Sequence, residues 1–251
     1  MSILQLQNMS VTLGETEVLN DISMHVKAGE FVSILGPSGA GKSTIFRLLT
    51  GALRQDRGEI LSNDRELNTA TGQFAFMPQR DALMPWRRII DNLTLGLEIH
   101  GMKRKQARER VRPLLAKFGL DGFERHYPSQ LSGGMRQRAA LLRTAVQARP
   151  VQLLDEPFGA LDALTRTRMQ TWFEERWRAA NWTTLLVTHD VREAVALSDR
   201  IYVLSRRPAR VIADIPVNIP RPRLGHPASP EAHELEAHLL EILLNQTGED
   251  P

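Results

Sequence analysis

The stretch Gly36-Pro37-Ser38-Gly39-Ala40-Gly41-Lys42-Ser43-Thr44 follows the apolar run Phe31-Val32-Ser33-Ile34-Leu35 and precedes Ile45-Phe46-Arg47-Leu48-Leu49. Together these read as a buried strand, a glycine-rich turn and a helix. The spacing G-x-x-x-x-G-K-[ST] is met by Gly36, Gly41, Lys42 and Ser43. Gly36, Gly39 and Gly41 allow positive φ and close approach to an anion, so that successive N–H groups can point at phosphate oxygens. A helix starting near Lys42 adds the positive end of its dipole. Lys42 would reach the outer phosphates as a point charge, and the Ser43 hydroxyl would complete the shell of a Mg²⁺ ion. Some glycine-rich turns fit this spacing without function; the strand before and the helix after argue against that here.

Composition narrows the alternatives. The 251 residues are 42% apolar and 24% charged, as in ordinary globular proteins, and suffice for one large α/β domain or a domain with an insertion. Net charge is +3, from 32 basic and 29 acidic residues, which argues only weakly for nucleic acid. Without cysteine there can be no disulfide, thiolate metal site or cysteine nucleophile. No apolar run approaches the roughly 18 residues of a membrane span, and MSILQLQN lacks a signal-peptide layout. The expectation is a cytosolic chain whose membrane part, if any, belongs to a partner.

Ahead of the loop, Ile3–Leu6, Val11–Leu13 and Ile22–Val26 alternate apolar and polar, with turn signals at Gly14 and Gly29-Glu30. They predict an antiparallel β layer. Gly51 should end the helix after the loop, and Gly58–Leu61 and Phe74–Met77 read as strands. The second runs into Pro78-Gln79, where a lone glutamine is by itself an ordinary solvated residue. From about 85 to 130 the pattern turns helical, an insertion whose basic run Lys103–Arg112 reads as a solvated helix face.

Leu131-Ser132-Gly133-Gly134-Met135 opens a further helix, over about 131–148, with Ser132 as its cap. It is either an ordinary capped helix or a second anion-binding helix start, one more than a single nucleotide needs. Val151–Leu154 is a buried strand ending in Asp155-Glu156. Such a pair can be mere strand termination, or a carboxylate for Mg²⁺ followed by one that polarises a water. Helix Leu164–Ala180 carries Trp172, Phe173 and Trp177, read as packing. Strand Thr184–Thr188 delivers His189 at its end; the other histidines form no metal spacing. Beyond a helix Val191–Ser198 and a strand Arg200–Leu204, a proline-rich extension over about 206–251, with Pro208, Pro216, Pro220, Pro222, Pro227 and Pro230, closes with a helix Glu231–Leu244 that turns Leu235, Leu239, Ile242 and Leu243 inward.

In this order the motifs resemble the ATP-binding subunit of ABC transporters, over residues 3–205. Walker A is Gly36 to Thr44, the Q-loop glutamine Gln79, the signature Leu131 to Met135, Walker B Val151 to Asp155 with Glu156 following, the D-loop Ala160-Leu161-Asp162 and the switch histidine His189. The resemblance implies an α/β P-loop NTPase core of ABC ATPase type, a single domain over 1–251, with the antiparallel layer and the inserted helical subdomain. It implies ATP and Mg²⁺ as ligands: Gly36, Pro37, Ser38, Gly39, Ala40, Gly41, Lys42, Ser43 and Thr44 hold the nucleotide, and Ser43, Gln79 and Asp155 hold the metal. Glu156 would be the general base, with His189, Gln79 and Lys42 assisting.

The spare helix start is accounted for in the same way. Two copies would pack head to tail, with Ser132 and Gly134 of one acting on the ATP of the other, and Gly133 and Asp162 as further nucleotide-binding residues. Two departures stand out: Met135 occupies a place where glutamine is commoner, and Leu13 one where an aromatic usually stacks on adenine. The stretch Met77–Trp86 and the short C-terminus look like the nitrate, sulfonate, taurine and pyrimidine-precursor importers. That implies permease subunits, indirectly a solute-binding protein, no nucleic acid, and a peripheral place on the cytoplasmic face of the inner membrane. The competing expectation is a soluble ABC-type ATPase acting on nucleic acid or ribosomes, which usually carries a long coiled-coil insertion or two cassettes.

Overall fold

The computed structural model describes residues 2–67, 73–224 and 229–246; Pro227 and the end of the C-terminal extension, 247–251, lie outside the described residues. The strands are β1 Ser2–Leu13, β2 Thr16–Lys27, β3 Phe31–Leu35, β4 Arg57–Ser62, β5 Arg65–Glu66, β6 Phe74–Met77, β7 Val151–Asp155, β8 Thr183–Thr188, β9 Arg200–Leu204 and β10 Val211–Pro216. The helices are α1 Lys42–Leu49, α2 Ile89–Leu93, α3 Leu95–Ile99, α4 Arg104–Leu115, α5 Gly133–Ala145, α6 Ala163–Ala180, α7 Val191–Leu197 and α8 Pro230–Asn245. They form two compact units, Met1–Thr71 with Phe173–Pro251, and Gly72–Trp172.

In the first unit an antiparallel sheet runs β2-β1-β4-β5. Its strands are longer than the alternation suggests. Leu4 and Leu6 face the core, then Met9 and Val11, so the inward set slips by one residue near Asn8. There Asn8 takes φ 51 and, opposite it, Asp21 takes φ 56; the Asn8 amide donates to Asp21 at 2.8 Å. Two facing bulges at residues that tolerate the left-handed region thus join two short apolar runs into one bent strand.

The parallel strands of this unit run β9-β3-β8, with β10 antiparallel on β9. Every residue of β3 and β8 is buried, as strands covered on both faces require. Phe31 meets Phe173 and Trp177 of α6 edge-on at 6.2 and 5.6 Å, the packing role expected of those aromatics. Leu239 of α8 is fully buried against Leu35, Val195 and Val203, with Leu235, Ile242 and Leu243 packed beside it. The extension is also tied down by cations. Arg221 pairs with Glu174 and Asp199 at 2.7 and 2.8 Å and lies 4.5 Å over Trp177. Arg223 donates to Val195 O and Ser198 O at 2.9 and 2.5 Å; burial, then the nearby Arg221 charge, lowers its pKa to about 10.

In the second unit β6 and β7 pair in parallel, Phe74 with Val151 through Met77 with Leu154. Around them α2 to α5 bury Leu93, Leu97, Ala107, Val111, Leu115 and Leu142. Phe118 packs edge-on to Trp172 at 4.5 Å. The predicted helical stretch falls inside this unit as three helices, α2 to α4, and two short 3₁₀ turns rather than one run.

Candidate nucleotide site

The first unit carries the phosphate loop and His189. Gly36 leaves the end of β3, and α1 starts at Lys42 with Gly41 as its N-cap at φ 103. A Cβ on Gly41 would stand 2.8 Å from Val18 Cγ1 and 2.9 Å from Leu19 Cδ2, so β2 closes on the loop where only glycine fits. Gly39, at φ 80, is required by its backbone alone. Lys42 is buried and its ammonium donates to the carbonyls of Gly36 and Pro37, both at 2.8 Å. The side chain therefore folds back over the turn and keeps its charge at the loop's mouth. A buried ammonium lying across a glycine-lined turn is a binding place for phosphate oxygens, and the residues fit a nucleotide.

Strand register decides where His189 lies. Leu35 pairs with Thr188, so His189 follows β8 at the edge where Gly36 follows β3. The Thr188 hydroxyl accepts from Asp190 N at 3.0 Å, and Asp190 caps α7 by accepting from Glu193 N at 3.1 Å. His189 is thereby fixed between a strand end and a capped helix start.

The second unit brings Gln79, Asp155 and Glu156 together at one edge, because Met77 pairs with Leu154. Asp155 is buried, Gln79 is exposed, and Glu156 takes φ 49, an uncommon conformation for a non-glycine residue. Gln137 of α5 donates to Glu156 O and Pro157 O at 3.2 and 3.0 Å, holding that turn. The Ser132 hydroxyl caps α5, accepting from Met135 N at 3.3 Å, as expected from the sequence. Asp162 caps α6, accepting from Thr165 N at 3.0 Å, and this bond holds its carboxyl below the usual range. Among the described residues no group of three or more His, Cys, Asp or Glu could hold a metal by itself. A Mg²⁺ ion would have to draw ligands from phosphate oxygens, a hydroxyl and a single carboxylate, a set that suits this ion.

Three positioning residues went unnoticed in the sequence. Arg143 donates to Ala82 O and Asp81 O at 2.6 and 2.8 Å, just beyond Gln79, and Arg136 pairs with Asp81 at 3.0 Å. Asn92, fully buried, accepts from Met84 N at 2.7 Å and donates to Arg87 O at 2.9 Å. The only signal for them was a polar residue on an otherwise apolar helix face.

The family profile described as ABC transporter matches residues 19–159. The aliphatic sulfonates import ATP-binding protein of Pectobacterium atrosepticum is 43% identical over 235 residues, 94% of this chain and 85% of that protein. The formylaminopyrimidine import ATP-binding protein of Halalkalibacterium halodurans is 43% identical over 200 residues, 80% of this chain and 78% of that one. Among solved structures, the dimeric structure of a bacterial ABC transporter cassette superposes with a TM-score of 0.78 at 28% identity, covering 86% of this chain and 99% of that one. A dimeric post-hydrolysis state of an ATP-binding cassette bound to ADP and Pi gives the same values. A profile running from ahead of the phosphate loop to beyond the carboxylate pair, with relatives at 43% identity along most of the chain, has one meaning: the chain belongs to the ABC transporter family, as an ATP-binding cassette.

Proposed function

We propose that this chain is the ATP-hydrolysing subunit of an importer for a small solute of the sulfonate, nitrate, taurine or pyrimidine-precursor kind. The observation that carries the reading is the Lys42 ammonium folded over the Gly36 and Pro37 carbonyls at the end of a fully buried strand. Lys42 and the amides of residues 38–44 bind the phosphates; Ser43, Asp155 and Gln79 are the residues that would hold Mg²⁺. Bound there, the metal would supply neutralisation of phosphate charge. Glu156 accepts a proton from water as the water's oxygen attacks the γ-phosphorus and the bond to the bridging oxygen breaks, giving ADP and phosphate. His189 holds the γ-phosphate in line. Most of the rate gain is positioning and charge placement.

Two copies assemble head to tail, and Ser132, Gly133, Gly134 and Asp162 of one serve the nucleotide of the other. The dimeric cassettes among the structural relatives support this arrangement. No helix among the described residues is long and apolar enough to cross a membrane. Permease subunits would supply the pathway, with this chain peripheral on the cytoplasmic face and a solute-binding protein acting through the permease. The import proteins among the relatives favour this over a ribosome- or nucleic-acid-acting ATPase. Pull-down of the tagged chain from detergent-solubilised membranes tests it. A co-purifying polytopic membrane protein is the expected result; recovery of soluble partners or nucleic acid alone overturns it.

A further inference from the structure

Away from the nucleotide motifs, four arginines of the second unit converge on one cavity. Its volume is about 760 Å³ and its lining includes Arg88, Arg108, Arg112, Glu124, Arg125 and His126. That size is typical of small-molecule sites, which span roughly 300–1,000 Å³. Arg88 is the N-cap of α2, Arg108 and Arg112 lie on successive turns of α4, and Arg125 and His126 belong to the segment before α5. The backbone draws them together, Ile89 N donating to His126 O at 2.8 Å and Ile90 N to Glu124 O at 3.0 Å.

The charges are poorly compensated. Arg108 is engaged by Asp91 at 2.6 Å, but the guanidinium groups of Arg88, Arg112 and Arg125 have no hydrogen-bond or ion-pair partner among the described residues. Glu124 is the one acid in the lining. His126 Nδ1 is closed to solvent and has no hydrogen-bond partner among the described residues, an unusual state for a buried ring nitrogen. A solvated basic face would spread its cations outward; here they surround a hollow. We propose that this cavity binds a small multivalent anion bearing phosphate or carboxylate groups, gripped by the guanidinium groups in bidentate fashion. An extended polyanion would need a track of charge, whereas these cations are gathered around one half-open pocket.

The test is calorimetric titration of the full chain with inorganic pyrophosphate and, separately, with citrate, with ADP in saturating excess to fill the phosphate loop. One equivalent of at least one probe should bind, more weakly as salt rises from about 20 to 150 mM. Binding of pyrophosphate alone, citrate alone or both supports the site and identifies which anionic group it prefers. The exposed pair Arg112→Gln with Arg125→Gln should weaken the probe roughly tenfold or more, with ADP affinity and Tm unchanged. His126→Gln should weaken it by a smaller factor. No binding of either probe, binding only when ADP is omitted, or affinity within about twofold in the double variant overturns the proposal.

Discussion

The phosphate loop and the segment after Gln79 are both short connections at strand ends, yet they are held by different forces. The loop is set by its own backbone: left-handed glycines, a buried strand behind it, a helix ahead, and a lysine bound to carbonyls five and six residues away. The segment after Gln79 is held from a distance. Arg143 and Arg136 reach it across 55 to 62 residues of sequence, and Asn92 ties Met84 to the start of α2. The contrast teaches that the rigid cradle is a local motif. The segment after Gln79 takes its shape from side chains that α5 and α2 supply.

The largest expected effect concerns the carboxylates. Glu156→Gln should lower steady-state ATP hydrolysis by about 10²–10⁴-fold, the usual worth of a positioned base, while ATP binding persists and a dimer accumulates. Turnover near the native rate in a phosphate-release assay would remove Glu156 from that role. Next, Lys42→Ala should weaken ATP binding by roughly ten- to a hundredfold, since a charge-assisted contact is worth about 1.5–3 kcal/mol. Unchanged affinity by calorimetry would break the loop side of the comparison.

The distant anchors provide the sharper contrast. Arg143 is buried, and its replacement by Met leaves two loop carbonyls without their donor, so denaturant unfolding should show a loss of about 2–3 kcal/mol. Arg136→Met breaks a half-exposed pair and should cost about 0.5 kcal/mol or less. Equal losses would show that burial does not separate the two anchors.

The smallest effect is a pH dependence. Burial would raise the Asp91 pKa, but its bonds to Arg104 and Arg108 outweigh this and hold it below the ordinary 3.8. A depressed carboxylate contributes stability that is full above its unfolded value and is lost as pH falls through its folded one. Asp91→Asn should therefore flatten the acid limb of the stability curve below about pH 4 and leave its shape at neutral pH unaltered.

Much of this was legible from residues alone where the cause is local. The strand–loop–helix around Lys42, the capping of α5 by Ser132, the stop at Gly51 and the inward leucines of α8 all follow from neighbours within a turn or two. The antiparallel layer was read as three runs because bulges at Asn8 and Asp21 shift the alternation by one, which no period-2 template follows. The extension was read as a proline-rich segment with a closing helix. It does supply β10, but its anchoring by Arg221 and Arg223 depends on carbonyls and carboxylates that other elements bring there.

By itself the sequence determined the motifs, their order and hence the family, because each is a short chemical unit with its own backbone demands. Tertiary structure alone decided the register that leaves His189 beside Gly36 and Gln79 beside Asp155, and gathered arginines from three stretches around one cavity. Those placements come from strand pairing and side-chain contacts between residues far apart in the chain, and such contacts leave no periodic mark in the sequence.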